Sequence, residues 1–311
     1  EMATSLLSLG NVYIGAWQDA LSMFVGLGDE LTNRGMPQNP ERRIEKQHGE
    51  SMQTFDVEQK KKWDGVRFGQ LDHTRLGDLS GCVREEEMVW PDYVRTFVST
   101  KGHTLLYKAV DVRSEAQRVA EIYRRGVDEM RGNSLYDWHL DANAIRERVG
   151  TGEFAIWGTY EDGRLIAVNS TEFVRGQRAV HWIWGAVDPA HRGKGVWENI
   201  GLYIDKVIDL SRAQYGMVWM VTTHVLSQRM AEKAGWKPVG VFPGGEFMGG
   251  SDGHYYRHTA VWYVKVYGDA LKHVQSREDM LLTPQADRIA KAILDNAAWT
   301  CDEPNDAEDS L

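Results

Sequence analysis

The segment Val187-Asp188-Pro189-Ala190-His191-Arg192-Gly193-Lys194-Gly195-Val196 constrains this chain more than any other stretch. An apolar run that reads as a strand passes into a glycine-rich turn. The turn opens into Val196–Arg212, where Val196, Ile200, Tyr203, Ile204, Val207 and Ile208 recur at helical spacing. A strand, a tight turn and a helix in that order leave the first helical N–H groups without internal partners. Those groups, the helix dipole, Arg192 and Lys194 together suit a bound anion such as a phosphate. No Gly-Lys-Ser/Thr follows at Walker spacing, and the preceding strand belongs to a meander, so neither common nucleotide fingerprint applies.

The elements around this segment define a fold class. Thr104–Val110 reads as a strand. A helix follows, with Ser114 and Gln117 as its capping box and Val119, Ile122, Tyr123, Val127 and Met130 on one face. A second helix spans Asp141–Val149. Phe154–Tyr160, Leu165–Phe173 and Ala179–Val187 are apolar runs separated by the short turns 161–164 and 175–178, which implies an antiparallel meander. Met217–Thr223 is a strand, Ser227 caps a short helix that stops at Gly235, and Trp236–Phe242 and Tyr256–Val266 read as the last two strands. Gly244–Gly253 reads as a loop between them. The expected class is α/β, with a mixed, mainly antiparallel central sheet flanked by helices.

Three zones follow: an N-terminal extension over 1–102, a central domain over 103–268, and an appendage over 269–311 with a helix after Thr283-Pro284 and an acidic end. In the extension some helix is expected around Gln18–Leu31 and Asp92–Ser99. Of 311 residues, 36 are basic and 45 acidic, and five of the nine excess negative charges lie in the last ten positions. No basic stripe is present to hold a phosphate backbone, so nucleic acid is not an expected partner. No stretch reads as a membrane span, and no membrane partner is expected. Cys82 and Cys301 stand far apart, which suits a reducing, cytoplasmic setting and offers no cysteine-based metal site; no metal is expected. Oligomeric state stays open.

The loop Arg192-Gly193-Lys194-Gly195-Val196-Trp197 resembles the acyl-CoA-binding motif of the GNAT superfamily of N-acetyltransferases, Arg/Gln-x-x-Gly-x-Gly/Ala. Val187-Asp188-Pro189 resembles the usual entry to that loop. A second signature resembles the family's ending Lys-x-Gly-aromatic, here Lys233-Ala234-Gly235-Trp236. Element order over about 103–268 agrees. The resemblance implies splayed central strands holding an acyl-CoA, acetyl-CoA by default. The amides of Gly193, Lys194, Gly195, Val196 and Trp197 would take the pyrophosphate, and backbone groups of Gly185, Ala186 and Val187 the pantetheine. One amide there would polarise the thioester carbonyl. Ser227 would add a contact to the pantetheine arm.

The chain departs from the family's pattern at three places. Trp197 stands where a small residue is usual, Ala231 where many members carry a Tyr acid, and His224 where an Asn contacts pantetheine. Transfer to an ammonium needs a base, and His181 falls where many members place it, with an unperturbed pKa of about 6.5 that suits the task. His224 is a second candidate participant. Glu246 and Asp252 are candidates for binding a cationic acceptor. Trp157, Trp182, Trp184 and Trp219 fall on central strands and are expected in the core. Strict alternation puts Trp182 and Trp184 on one face, opposite His181 and Ile183, and Trp182 becomes a candidate acceptor contact. The leading expectation is an acyl-CoA-dependent N-acyltransferase acting on a small-molecule or peptide amine in a ternary complex. An acyl carrier protein as donor, a malonyl-thioester decarboxylase, and a non-catalytic acyl-CoA-binding scaffold are the alternatives.

Overall fold

The structure, a computed structural model, describes residues 87–126, 136–249, 254–274, 280 and 282–296. The expected helix at Gln18–Leu31, most of the N-terminal extension and Asp252 lie outside the described residues.

The described residues form one eight-stranded sheet: β1 (Arg95–Val98), β2 (Thr104–Ala109), β3 (Phe154–Glu161), β4 (Arg164–Val174), β5 (Ala179–Val187), β6 (Tyr215–Val221), β7 (Lys237–Gly249) and β8 (Tyr255–Val266). The helices are α1 (Val112–Gly126), α2 (Ala142–Gly150), α3 (Ile200–Leu210), α4 (Leu226–Lys233) and α5 (Pro284–Asn296). Strand order is β1-β2-β3-β4-β5-β6-β8-β7, and every neighbouring pair is antiparallel except β5–β6. That exception follows from the chain path. A parallel pair needs a crossover, and the glycine loop with α3 supplies it. The mixed, mainly antiparallel sheet flanked by helices is the architecture that the resemblance implied.

Two apolar layers cover the sheet. On one side Ile200, Tyr203, Ile204, Val207 and Ile208 of α3 pack with Ala231 of α4 against Trp182, Val218 and Tyr263. On the other, Ala116, Val119, Ile122 and Tyr123 of α1 and Ile145 of α2 pack against Trp184, Ile156 and Val168. Each large side chain buried this way contributes about 1.5–3 kcal/mol relative to exposure. The β3–β4 turn is the Asp162-Gly163 pair, both at positive φ (50° and 76°), as a two-residue hairpin demands. Asp141 caps α2 by accepting from Asn143 N and Ala144 N at 2.9 and 2.8 Å.

Several expectations are corrected. Asp92–Ser99 is not helical: Arg95–Val98 is an edge strand, with Val98 opposite Thr104. The sheet therefore begins upstream of position 103. β-Branched and aromatic residues there find a partner strand, which outweighs local helix preference. Asp111, not Ser114, caps α1, taking the Arg113 amide at 3.1 Å and the Ser114 hydroxyl at 2.8 Å. Ser227 is no cap either; it lies inside α4, whose N-cap is Val225. Gly244–Gly249 is strand, because β7 resumes after an irregularity and pairs Glu246 with His258. Trp219 is 40% exposed rather than core.

Trp182 and Trp184 lie on opposite faces, one in each core layer. The β4–β5 register explains this. Ser170 faces Trp184 and the next residue, Thr171, faces Trp182, so Ile183 is an extra residue on β5. A bulge of one residue inverts the alternation beyond it. Trp182, 3% exposed and donating its Nε1 to Asn169 Oδ1 at 3.2 Å, is buried in its core layer, where it also lines a cavity between β5 and β6.

The entry to the glycine loop depends on Asp188. Its carboxylate is fully buried and accepts from Arg118 Nη2 at 2.5 Å, Arg125 Nη1 at 3.3 Å and the Ala190 amide at 3.1 Å. Burial alone would raise its pKa, but the two guanidiniums hold it below the ordinary value. Asp188→Asn is expected to cost about 3 kcal/mol of stability, because it takes away the buried charge shared by Arg118 and Arg125 and leaves them only Glu121. The urea midpoint at unchanged slope measures this.

Candidate functional site

β5 and β6 pair from Ala179–Tyr215 to Trp182–Val218 and then part, although both strands continue. A cavity of about 740 Å³ opens in the gap. Gly185–Val187 form one wall, Val218–Val221 the other, and the loop around Arg192–Trp197 one end. Leu226, Ser227 and Met230 of α4 and Glu246 and Met248 of β7 complete it. Because Trp182 and Val218 face one core layer while Ile183 and Met248 face the other, the cavity passes through the sheet.

The loop differs from the expected helix start. α3 begins at Ile200, and its first helical bond runs from Tyr203 N to Asn199 O. The Val196 carbonyl instead accepts from Tyr107 OH at 2.9 Å, which keeps the preceding turn open. Among the described residues, the amides of Gly193, Lys194, Gly195, Val196 and Trp197 donate to no backbone carbonyl. Gly193 and Gly195 both sit at φ +79°. A Cβ at Gly195 would come within 2.6 Å of the Glu198 carboxylate and 2.8 Å of Ser99 Cβ, so only glycine fits there. Glu198 is held by Thr100, accepting from its amide at 2.8 Å and its hydroxyl at 2.5 Å.

The loop cations are already engaged. Lys194 Nζ donates to Glu161 Oε2 at 2.6 Å, and His191 and His103 reach the same carboxyl at 3.1 and 2.7 Å. Lys194 above all, helped by the two histidines, lowers the Glu161 carboxyl to about 2. Arg192 Nη2 donates to the Gly126 carbonyl at 2.5 Å. An incoming anion would share Lys194 with Glu161 and rest mainly on backbone amides. Composition and spacing concealed this, because Glu161 lies 33 residues away and meets Lys194 only through the sheet.

Gly185 has the tightest surroundings in the cleft: a Cβ there would overlap the Asn169 amide oxygen and the Trp197 ring. Trp197 therefore points inward over Gly185. Asn169 is fully buried, and its Nδ2 has no partner; Ser227 Oγ, on the cavity wall, is likewise buried without one. Unsatisfied polar atoms beside a cavity fit a polar ligand that completes them.

Of the two candidate histidines, His181 stands beside the cavity and is not among its lining residues. Its Nδ1 lies 3.0 Å from Glu172 Oε1, and its ring 5.6 Å from that of Trp219. A carboxylate partner puts the imidazole proton on Nδ1 and leaves Nε2 to accept. His224 is exposed at the cavity mouth, its carbonyl 3.5 Å from Gln228 Nε2. Glu246 lines the cavity and is 7% exposed. Burial raises its pKa, with nearby His181 pulling the other way. Among the described residues no cluster of His, Cys, Asp and Glu is arranged to hold a metal ion, and no helix is long and apolar enough to cross a membrane.

The chain matches no known family model and no curated protein. Among solved structures it is similar to RimJ of Mycobacterium smegmatis, in complex with CoA-disulfide, at 13% identity over 60% of this chain and 91% of that one, with a TM-score of 0.46. It is similar to the spermidine/spermine N-acetyltransferase SpeG of Vibrio cholerae at 11% identity, over 56% and 99%, with a TM-score of 0.43. The ribosomal-protein-S5-alanine acetyltransferase of Vibrio fischeri is similar at 12%, over 55% and 96%, with a TM-score of 0.41. Likenesses at this level leave the chemistry to be argued from the cleft itself.

The raised pKa of Glu246 has a consequence for stability. A carboxyl whose folded pKa exceeds its ordinary 4.5 favours folding when protonated, and that contribution is lost as pH rises through the folded value. Glu246→Gln does not titrate. Its melting temperature is expected to exceed that of the wild type near pH 8 and to match it near pH 4, by differential scanning fluorimetry.

Proposed function

We propose that this chain is an acyl-CoA-dependent N-acyltransferase of the GNAT type, with acetyl-CoA as donor and an amine as acceptor. The observation that carries the reading is the parting of β5 from β6 beside a loop of unengaged amides. A strand edge freed from its neighbour and a row of outward amides together suit a long ligand with a phosphate-bearing end.

In this reading the amides of Gly193–Trp197 take the pyrophosphate, with Arg192 and Lys194 adding positive charge. Gly185–Val187 offer the free edge of β5 to the pantetheine, and Ser227 Oγ supplies an unsatisfied polar group on the cleft wall. The acceptor arrives as an ammonium and must lose a proton before its nitrogen can attack. His181, oriented by Glu172, takes that proton at Nε2, directly or through a water. The C–N bond forms at the thioester carbonyl, the attached nitrogen gives its second proton to solvent, and the C–S bond breaks, releasing the thiolate. Ala231 is fully buried and carries no acid, so the thiolate leaves without a proton from that position.

Two observations favour a second reading. The Trp197 ring occupies the space over Gly185, and Lys194 is tied to Glu161. A module that binds an acyl thioester without turning it over, or that scaffolds partners, would tolerate both features.

Calorimetry with acetyl-CoA and CoA separates these readings. Micromolar binding is expected for the wild type. Gly195→Trp is expected to weaken it more than tenfold, since even a Cβ meets Glu198 and Ser99. Trp197→Ala is expected to tighten binding severalfold by clearing Gly185. In an amine acylation screen, His181→Ala is expected to lower kcat about 100-fold or more with a smaller change in KM. Thioester binding without transfer to any amine would leave the second reading in place.

A further inference from the structure

Glu246 is the unsatisfied charge of the cleft. It lines the cavity at 7% exposure, and among the described residues it makes no hydrogen bond or ion pair. A carboxyl largely taken out of water with no partner favours its neutral form, and a bound cation is what would restore its charge. The charged and titratable groups around it are few. His181 faces it from β5 with Nδ1 committed to Glu172, and His258 stands opposite it in the β7–β8 register. Two carboxylates, Glu172 and Glu246, therefore flank one imidazole.

Beside that charge runs a row of rings. Trp219 of β6 is 40% exposed and lies 5.6 Å from the His181 ring. Phe242 of β7 is 36% exposed and lies 6.1 Å from Trp219 and 5.4 Å from Trp262. α1 packs on β4 and β5, α2 on β3 and α5 against β7, and with these helices in place Trp219 and Phe242 keep their exposure. Large aromatic faces left open next to a buried carboxylate are the pairing that a cation on a flat apolar body completes.

We infer that the acceptor is a primary ammonium carried on an aromatic body, with Glu246 holding the ammonium and Trp219 and Phe242 holding the ring. The word acceptor rests on the acyltransferase reading; the binding site does not. A linear polyamine fits less well, because it would leave the flat faces of Trp219 and Phe242 without a flat partner.

Calorimetry on the full chain tests this with 2-phenylethylamine, 2-phenylethanol and 1,4-diaminobutane, each with and without saturating CoA. 2-Phenylethylamine is expected to bind at least tenfold more tightly than either of the others. Glu246→Gln is expected to weaken it tenfold or more, and Phe242→Leu and Trp219→Leu severalfold each. Its affinity should also fall on acidification, as Glu246 takes up a proton. The inference is overturned if 1,4-diaminobutane binds as well as 2-phenylethylamine. It is equally overturned if Glu246→Gln leaves the affinity unchanged, or if 2-phenylethylamine fails to bind in both conditions. The isosteric Gln and the two exposed ring positions keep folding out of the comparison. Binding with the expected pattern but without acetyl transfer would sink the acyltransferase reading and leave this site standing.

Discussion

The short parallel contact between β5 and β6 governs the rest of this structure. Four residue pairs, Ala179–Tyr215 to Trp182–Val218, hold two halves of a sheet together. Beyond them the strands separate while each remains hydrogen-bonded on its other side, β5 to β4 and β6 to β8. The gap is thus stable without being filled by backbone. It exposes a strand edge to a ligand instead of to another strand, and it is wide enough to join the two faces of the sheet.

The surrounding devices serve that gap. Asp188, clamped by Arg118 and Arg125, fixes where β5 ends and the glycine loop begins. Glu161 gathers Lys194, His191 and His103, pinning the loop to the β3–β4 turn across the sheet. Tyr107 takes the Val196 carbonyl and so delays the start of α3. Behind the wall, burial pushes His139 down to about 3, leaving it neutral between the Tyr136 carbonyl and Ser170 Oγ, where it supports Trp184. The loop amides remain open because neighbouring polar groups are engaged elsewhere.

The site draws its electrostatics from separated parts. At the loop end, positive charge is moderated by Glu161 and Glu198. At the other end, Glu172 and Glu246 surround His181 with negative charge in a partly aromatic setting.

Much of this was legible in the sequence. The order of elements, the three-strand meander, the glycine loop and the helix that follows it depend on periodicity and turn chemistry, which are local. So is the turn at Asp162-Gly163. What only the tertiary structure decided depends on registers and on partners far apart in the chain. A single extra residue at Ile183 sends Trp182 and Trp184 to opposite faces, and no alternation pattern announces it. The edge strand at Arg95–Val98 exists because β2 is there to pair with it. Lys194 reads as a free cation until Glu161 is brought beside it, and Glu246 reads as a solvated loop acid until β7 resumes and buries it near His181. Short-range steric and solvation preferences set the elements, whereas the charge state and exposure of each site residue were set by neighbours that only the closed sheet supplies.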